Sequence, residues 1–281
     1  MLKAFKNRKV KIIAICLAIA VLIPTILEIC FLLRSSYKAY RPDYEKIDIS
    51  SIVMKERLTD EDYQTLFLQT GLTRIGIDGL IEKGLYDRII RIQEQYFEKQ
   101  DYYRFSFAPF TGYLKRSMGE KSVAEHAYLE NGDILFSPTT FFSFIKTGHT
   151  SMVVDASRGF MAQASGYGSP VSYVHINHFF ARPAFVILRA KEADGGAVAD
   201  YTKQKLIGTE YSLLSGIFGD KAPESLNKTH CSHFIWYAYM QSGIDLDSNG
   251  GKIVTPKNIA LSDNLEIVQI YGIAPGEFFS N

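Results

Sequence analysis

The spacing of apolar residues divides the chain into three stretches, and the first stretch is continuous. Ile12–Leu33 is a run of 22 residues that a single charged residue, Glu28, interrupts, and five basic residues between Lys3 and Lys11 come before it. A helix of about 20 apolar residues spans the hydrocarbon core of a membrane. The run therefore predicts a transmembrane helix over residues 12–33.

An uncleaved signal anchor fits this run better than a cleaved signal peptide or a buried core helix. A signal peptide has a shorter apolar core and small residues before its cleavage site, whereas large residues fill Ile23–Leu33. Basic residues that flank a membrane helix stay in the cytoplasm. We therefore expect a single-pass protein of the cell membrane, anchored through residues 12–33, whose remaining chain is extracytoplasmic.

The second stretch has helical spacing. A polar segment at residues 34–51 is followed by Thr59–Asp62, which has the pattern of a capping box, an arrangement that begins many helices. Apolar residues then recur at intervals of three and four, and a further helix is predicted over Gly79–Lys99. Asp101–Met118 is aromatic and irregular. These patterns predict a tail and anchor at 1–34, a linker and helical prefix at 35–125, and a third domain at 126–281.

In the third stretch, from about residue 130, apolar residues form the short or alternating runs that are typical of β-strands. The predicted strands are Gly132–Ser137, His149–Asp155, Phe160–Ala164, Val171–Ile176, Ala184–Arg189 and Leu265–Ile270. The predicted connections are Thr139–Thr147 and a tight turn at Ala156–Gly159, and the predicted helices are Ala197–Ile207 and the run from Cys231 to about Gly243. A small, mostly antiparallel sheet packed by helices is an α+β fold.

Composition excludes several classes of protein. Of the 281 residues, 47% are hydrophobic and 22% are charged, which excludes a disordered chain. The formal net charge is +1, so we expect no nucleic-acid partner, because there is no basic field to attract one. The glycines Gly166 and Gly168 are not followed by the lysine and hydroxyl residue of a phosphate-binding loop, and no cofactor is predicted.

Cys231 is the only cysteine outside the apolar run, because Cys16 and Cys30 both lie within it. The rest of the chain therefore contains one thiol and cannot form an internal disulfide. Cys231 stands where a polar loop changes abruptly to an apolar run that is typical of a helix. Backbone N–H groups and the helix dipole favour a thiolate at such a position, and the thiolate is the nucleophilic form of cysteine.

His149 begins a predicted strand upstream of Cys231 and is the candidate base. An imidazole can accept the proton of a thiol, and a third polar group usually orients that imidazole. Because the strands on either side of the turn at Ala156–Gly159 form a hairpin, we expect Gln163 to lie roughly opposite His149. The candidate catalytic residues are therefore Cys231, His149 and Gln163.

A reaction at Cys231 also needs hydrogen-bond donors for the oxyanion that develops on the substrate. Backbone N–H groups at the start of the Cys231 helix are the first candidates. Tyr211 and His230 are the side chains that could assist them.

Structural interpretations compete with these chemical ones. A cysteine beside an apolar helix is more often inert packing, and a histidine in a strand is usually a hydrogen-bonded structural residue. A zinc site is another alternative, because His230, Cys231 and His233 form an H-C-x-H cluster that His149 could join. Adjacent ligands on a helix point in different directions, however, so no metal is predicted.

Several short motifs occur together in an order that resembles one family. They are GDILFS at 132–137, GHTSMVV at 148–154, AQA at 162–164, GSPV at 168–171, GTEY at 208–211, HCSHFIWYAY at 230–239 and VTPKNI at 254–259. This set resembles the circularly permuted papain-like hydrolases of the NlpC superfamily, in particular the YiiX/YebB-like group. Ordinary papain-like enzymes place the cysteine helix before the histidine strand, whereas here the histidine strand comes first.

The resemblance implies a permuted papain-like fold in which Cys231 is the nucleophile and His149 the base. Gln163 falls where relatives commonly have an acidic or other polar residue. The implied function is a cysteine hydrolase of the peptidase or amidase type, which could act on cell-wall peptides of a bacterium. A lipid-directed acyl hydrolase or acyltransferase is the second candidate, because the lecithin–retinol acyltransferases share the permuted order. A non-catalytic binding module is the third, and the neutral Gln163 argues for it.

Overall fold

A computed structural model of the chain describes residues 2–34, 38–108, 111–117, 123–142, 145–217 and 219–279. The helices in these residues are α1 (Leu2–Arg34), α2 (Ser50–Val53), α3 (Asp60–Thr70), α4 (Arg74–Glu82), α5 (Tyr86–Phe97), α6 (Asn177–Phe180), α7 (Gly195–Tyr201), α8 (Cys231–Met240), α9 (Pro256–Ala260) and α10 (Pro275–Phe279). The strands are β1 (Tyr102–Ala108), β2 (Thr111–Arg116), β3 (Ile134–Ser137), β4 (Thr140–Phe142), β5 (Ile145–Lys146), β6 (His149–Asp155), β7 (Phe160–Gln163), β8 (Ser172–His175), β9 (Phe185–Ala190), β10 (Glu210–Tyr211), β11 (Lys228–Thr229) and β12 (Leu265–Tyr271). The chain is α+β, as the sequence predicts.

Helix α1 contains the predicted apolar run. Its segment Val10–Cys30 is long and apolar enough to cross a membrane, and no residue of its most apolar part is buried in the protein. An apolar helix of this length is stable when lipid surrounds it. The prediction of an N-terminal helix that can span a membrane is therefore confirmed.

The larger sheet has the strand order β12-β9-β3-β6-β7-β8, and its neighbouring strands are antiparallel. Successive side chains of a strand point to opposite faces. In β6, Met152 and Val154 pack with α8 on one face, whereas Val153 packs with the prefix helices on the other. Both faces of this sheet are therefore covered, which explains why β6 is buried over nearly its whole length.

The strands predicted for this sheet all exist, and their ends agree with the prediction to within two residues. The turn between β6 and β7 also falls at Ala156–Gly159, where it was expected. The helix predicted over Ala197–Ile207 consists of α7 and a π-helical segment, Thr202–Leu206, that continues it.

The helical prefix begins as predicted but divides differently. The Thr59 hydroxyl accepts a hydrogen bond from the Asp62 backbone N–H, and the Asp62 carboxylate accepts one from the Thr59 N–H, so the capping box is present. The prediction of one helix over Gly79–Lys99 is wrong, because α4 and α5 are separate. Gly84 lies between them with a φ of 66°, a left-handed conformation that interrupts a helix.

The prefix packs directly on the edge of the larger sheet. Gly71, which ends α3, accepts a hydrogen bond from the Ile270 backbone N–H at 2.8 Å, and the Thr73 N–H donates to the Val268 carbonyl at 3.0 Å. Apolar residues of α3, α4 and α5 share one buried core with the sheet face that carries Val153. The prefix and the sheet therefore bury their apolar faces against each other.

A smaller sheet has the order β1-β2-β4-β5, and its strands lie on either side of β3 in the chain. The prediction that Asp101–Met118 is irregular is wrong for the described residues, because β1 and β2 form an antiparallel pair there. Aromatic residues occur on both faces of β1, so the sequence shows no single period. Residues 109, 110 and 118 lie outside the described residues. The connection predicted at Thr139–Thr147 contains β4 and β5, and residues 143 and 144 lie outside the described residues.

Candidate thiol–imidazole site

Cys231 is the first residue of α8, and His230 precedes it as the N-cap residue. The helix that follows is buried, because Phe234, Ala238 and their neighbours pack in the core on one face of the larger sheet. This packing holds Cys231, itself partly exposed, at the end of β6, where the Thr150 backbone hydrogen-bonds the sulfur.

Burial raises the pKa of the Cys231 thiol above its ordinary value. Hydrogen bonds from the backbones of Thr150 and Ser232 to the sulfur oppose this shift without cancelling it. The start of α8 therefore offers the N–H groups that the sequence suggests, but the resting sulfur is a thiol at neutral pH. A nucleophilic attack by this sulfur requires a group that accepts its proton.

His149, the first residue of β6, is 6% exposed and is hydrogen-bonded to Gln163. Its Nε2 lies 3.2 Å from Gln163 Oε1. The Ser151 hydroxyl lies 3.3 Å from the same amide oxygen and 3.4 Å from His149 Nε2. The structure thus brings His149 and Gln163 together and adds Ser151, which the sequence interpretation did not include.

The contact between His149 and Gln163 is diagonal. In the β6–β7 hairpin, Met152 pairs with Ala162 and Val153 with Met161. Continuing this register by one residue brings Gln163 opposite Ser151, two residues beyond His149. The long glutamine side chain spans this diagonal, which is within the reach of cross-strand neighbours.

The imidazole of His149 is neutral across the physiological pH range. Burial is the main cause that lowers its pKa to about 3, the nearby guanidinium of Arg182 acts in the same direction, and the hydrogen bond to Gln163 opposes both effects. The ring of Phe179 stacks on the imidazole with a centroid distance of 6.5 Å. A neutral imidazole has one free nitrogen lone pair and can act as a base.

The structure places the sulfur at Thr150 and the imidazole at Gln163, and Thr150 directly follows His149 in β6. Consecutive side chains of a strand leave opposite faces. The imidazole therefore starts from the sheet face opposite that of Thr150. Contact with the sulfur requires the two groups to meet around the end of β6, where each belongs to the first residue of its element. That meeting is a step of the proposed function below.

Of the two oxyanion candidates, Tyr211 is the better placed. Burial raises the pKa of its phenol to about 12, and the nearby Cys231 contributes in the same direction, so Tyr211 is a protonated donor beside the sulfur. His230 is 4% exposed, and its Nδ1 lies 3.3 Å from the Ser232 hydroxyl. Its Nε2 is buried without a partner among the described residues and has no surface for a substrate to contact.

His233, part of the H-C-x-H cluster, is held by structural hydrogen bonds. Its Nδ1 lies 3.2 Å from the Thr229 hydroxyl, and its Nε2 lies 2.8 Å from the Lys221 carbonyl oxygen. Both ring nitrogens are therefore engaged within the loop before α8. Within the described part of the chain, no group of three or more His, Cys, Asp or Glu side chains is arranged to hold a metal ion.

Arg182 is the main residue of this region that the sequence interpretation missed. Its side chain is buried near both Cys231 and His149, and Nη1 donates to the Thr140 hydroxyl at 2.8 Å. A signal was present, because Arg182 is the only charge in the otherwise apolar run from Phe179 to Leu188. A charge that the chain buries among apolar residues has a partner or a function.

Comparison of the chain with protein-family models, with curated proteins and with solved structures finds no match.

Proposed function

We propose that this chain is a membrane-anchored cysteine hydrolase in which Cys231 is the nucleophile, His149 the base and Gln163 the residue that orients the base. The observation that carries the proposal is the buried hydrogen bond between His149 Nε2 and Gln163 Oε1. His149 is the first residue of strand β6, and the next residue, Thr150, lies at the Cys231 sulfur. The resemblance to permuted papain-like hydrolases supports the same assignment and the same fold.

Gln163 sets the tautomer of the base. An amide oxygen only accepts hydrogen bonds, so His149 Nε2 carries the ring hydrogen and Nδ1 keeps the lone pair. Nδ1 is therefore the nitrogen that accepts the Cys231 proton. Because the thiol has a raised pKa and the imidazole a lowered one, the proton moves as the sulfur attacks rather than in the resting enzyme.

The reaction proceeds by acyl transfer. The Cys231 sulfur attacks a carbonyl carbon while its proton passes to His149 Nδ1, and the oxyanion accepts hydrogen bonds from N–H groups at the start of α8 and from Tyr211. The imidazolium then protonates the leaving amine or alcohol, and a thioester remains on Cys231. Water attacks this thioester with His149 as the base and releases the acid.

An amide or peptide bond is the proposed target. If the basic residues in the first part of α1 stay in the cytoplasm, the site faces outward, where the peptides of a bacterial cell wall are the available substrates. This substrate comes from the resemblance, and the site's own residues support only acyl transfer.

An acyl lipid is the second candidate, and one structural feature favours it. The smaller sheet contacts α1, the helix that can span a membrane: Arg104 of β1 forms an ion pair with Glu28 of α1 at 3.2 Å. Tyr103, Phe105 and Phe142 of this sheet are exposed. Exposed aromatic side chains beside a membrane helix are typical of a protein surface at the lipid interface.

The test uses the full chain in detergent, incubated with peptidoglycan fragments and with acyl lipids and analysed by mass spectrometry. We expect products from the wild type, and a loss of about a thousandfold or more in Cys231→Ala and His149→Gln. Cys30→Ala, which removes a thiol from α1, is the matched control and should retain the activity.

The pattern of products separates the candidates. Release of amines from the wall fragments supports the peptidase, and release of fatty acids alone supports the lipid-directed enzyme. Products that persist in Cys231→Ala contradict the proposal, and binding without turnover in the wild type indicates a binding module.

A further inference from the structure

Arg182 is a buried cation without an anionic partner among the described residues. Its side chain is 3% exposed, and the ion pairs of these residues do not include it. Its hydrogen-bonding contact is Nη1 to the Thr140 hydroxyl, and its Nε is buried with no acceptor in the same part of the chain. A buried guanidinium normally has a carboxylate or phosphate partner, because removing the charge from water is costly.

Aromatic rings hold this guanidinium in place. Its central carbon lies 4.2 Å from the ring centroid of Tyr113 and 5.3 Å from that of Phe179. Burial lowers the pKa of Arg182 to about 10, so the group is still charged at neutral pH. The rings provide a soft electrostatic attraction but give Nε no hydrogen-bond acceptor.

The location of Arg182 connects it with the thiol–imidazole site. Phe179, the ring beneath the guanidinium, also stacks on the imidazole of His149. The charge of the guanidinium acts on His149, and the Cys231 thiolate acts on the guanidinium. An anion held by Arg182 would therefore lie beside the reacting atoms.

An exposed apolar surface leads to this cation. In the smaller sheet, Phe105 pairs with Tyr113 and Tyr113 with Thr140, so these residues share one face. The alternation of the strands places Tyr103, Phe142 and Ile145 on the same face, and each of them, like Phe105, is 40% to 51% exposed. Arg182 contacts both Tyr113 and Thr140 at the inner end of this face.

We propose that Arg182 binds a carboxylate of the substrate and thereby places the scissile carbonyl at Cys231. The planar fork of a guanidinium matches a carboxylate, and the apolar face accommodates the hydrocarbon part of the same molecule. The inference rests on the proposed function, since it names the substrate of that site: an acyl compound with a nearby carboxylate, either an acidic peptide or an anionic acyl chain.

Two small reagents of nearly equal shape test the carboxylate site. Iodoacetate and iodoacetamide both alkylate thiols, but only iodoacetate has a carboxylate. The full-length protein in detergent is treated with each reagent at pH 8 and constant ionic strength, and mass spectrometry follows the adduct on Cys231. The iodoacetate rate is divided by the iodoacetamide rate, which cancels the intrinsic reactivity of the sulfur. The same ratio for glutathione gives the value expected of a thiol without a carboxylate site.

We expect the ratio for the wild type to exceed that of glutathione by about tenfold or more. This factor corresponds to the free energy of one charge-assisted hydrogen bond. Arg182→Gln should reduce it to the glutathione value, and Arg182→Lys should give an intermediate ratio. Arg158→Gln, which removes an equal charge from the exposed turn between β6 and β7, should keep the wild-type ratio. N-acetylalanine represents a peptide carboxylate and octanoate an acyl-chain carboxylate. Each is added separately, and the one that slows the alkylation of Cys231 more strongly identifies the kind of carboxylate that the site prefers.

Three results would overturn the inference. A wild-type ratio equal to that of glutathione overturns it without any variant, even if Arg182→Gln does not fold. Equal slowing of both reagents by Arg182→Gln shows that the guanidinium acts on the sulfur and not on the ligand. Failure of both reagents to react with Cys231 overturns the proposed function itself. Normal iodoacetamide reactivity together with a wild-type ratio equal to that of glutathione overturns the carboxylate site alone.

Discussion

Gln163 offers His149 a neutral hydrogen-bond acceptor, whereas the histidine of the Ser-His-Asp triad has a carboxylate partner. A carboxylate at this place would stabilise the imidazolium and raise the pKa of the base. A neutral amide orients the ring and leaves burial to dominate, which explains the low pKa of His149. The imidazole of His149 is therefore held by a hydrogen bond but is weakly basic.

Gln163→Glu should raise the pKa of His149 from about 3 towards its ordinary value. The base must be unprotonated to work, so the decline of activity in acid should move to higher pH. The measurement is the pH dependence of Cys231 acylation between about pH 4 and pH 8, a range that includes the ordinary histidine pKa of about 6.5.

Gln163→Met is the matched control, because it keeps the side-chain length without the hydrogen bond. We expect it to slow acylation about tenfold or more at every pH without moving the acid decline upward. Identical pH profiles for the wild type and Gln163→Glu would show that Gln163 does not contact the working base.

The sequence is informative about individual residues where the signals are local. Cys231 at a helix start, His149 at a strand start and Gln163 across a hairpin each follow from short-range patterns. Arg182 was missed because its contact with Thr140 depends on how the smaller sheet packs on the larger one. Packing of this kind involves distant segments and has no local sequence period.

At the level of elements, helix α4 shows how tightly the prefix is joined to the larger sheet. A Cβ atom built on Gly76 would lie 2.4 Å from the Val268 carbonyl oxygen of β12, which is closer than any real contact. Gly79, in the same helix, has no such neighbour, since its nearest atom is the Tyr128 Cβ at 4.0 Å. The two glycines thus have different reasons to be present.

Alanine at these two positions should have opposite effects. Gly76→Ala should lower the free energy of unfolding by about 1–3 kcal/mol, because helix α4 and strand β12 must separate to admit the methyl group. Gly79→Ala should raise it by up to about 1 kcal/mol, because alanine favours a helix more than glycine does. Thermal unfolding followed by circular dichroism measures both, and equal effects would contradict the close packing of α4 on β12.

Errors of the sequence interpretation at this level have two physical causes. The break between α4 and α5 occurs at Gly84, a residue that helices tolerate, so apolar spacing alone did not reveal it. Strands β1 and β2 have apolar residues on both faces, so neither a period of two nor one of 3.6 emerges. The strands of the larger sheet were predictable because they are short, apolar and bounded by turns.

For the whole molecule, histidines whose pKa the fold lowers make stability dependent on pH, and His149 and His230 have the largest of these shifts. Burial is the main cause that lowers the pKa of His149 and of His230, each to about 3 in the folded protein. In the unfolded chain both have the ordinary value of about 6.5. Between these values the unfolded chain binds more protons, so stability is complete above pH 6.5 and falls as the pH falls towards 3.

Acidification from pH 7 to pH 5 should therefore lower the free energy of unfolding by about 2 kcal/mol for each of the two histidines. Unfolding of the full chain in detergent at both pH values measures the change. His149→Gln should remove about 2 kcal/mol of the total change, because glutamine does not titrate. An equal stability at pH 7 and pH 5 would show that these imidazoles are accessible to protons in the folded protein.

The central claim is that Cys231 forms an acyl-enzyme with the help of His149, and p-nitrophenyl acetate tests it without knowledge of the natural substrate. We expect a burst of nitrophenolate equal to the amount of protein, an acetyl group on Cys231 by mass spectrometry, and acylation about a hundredfold or more slower in His149→Gln. Absence of the acetyl group from Cys231, or an equal rate in His149→Gln, would contradict the account.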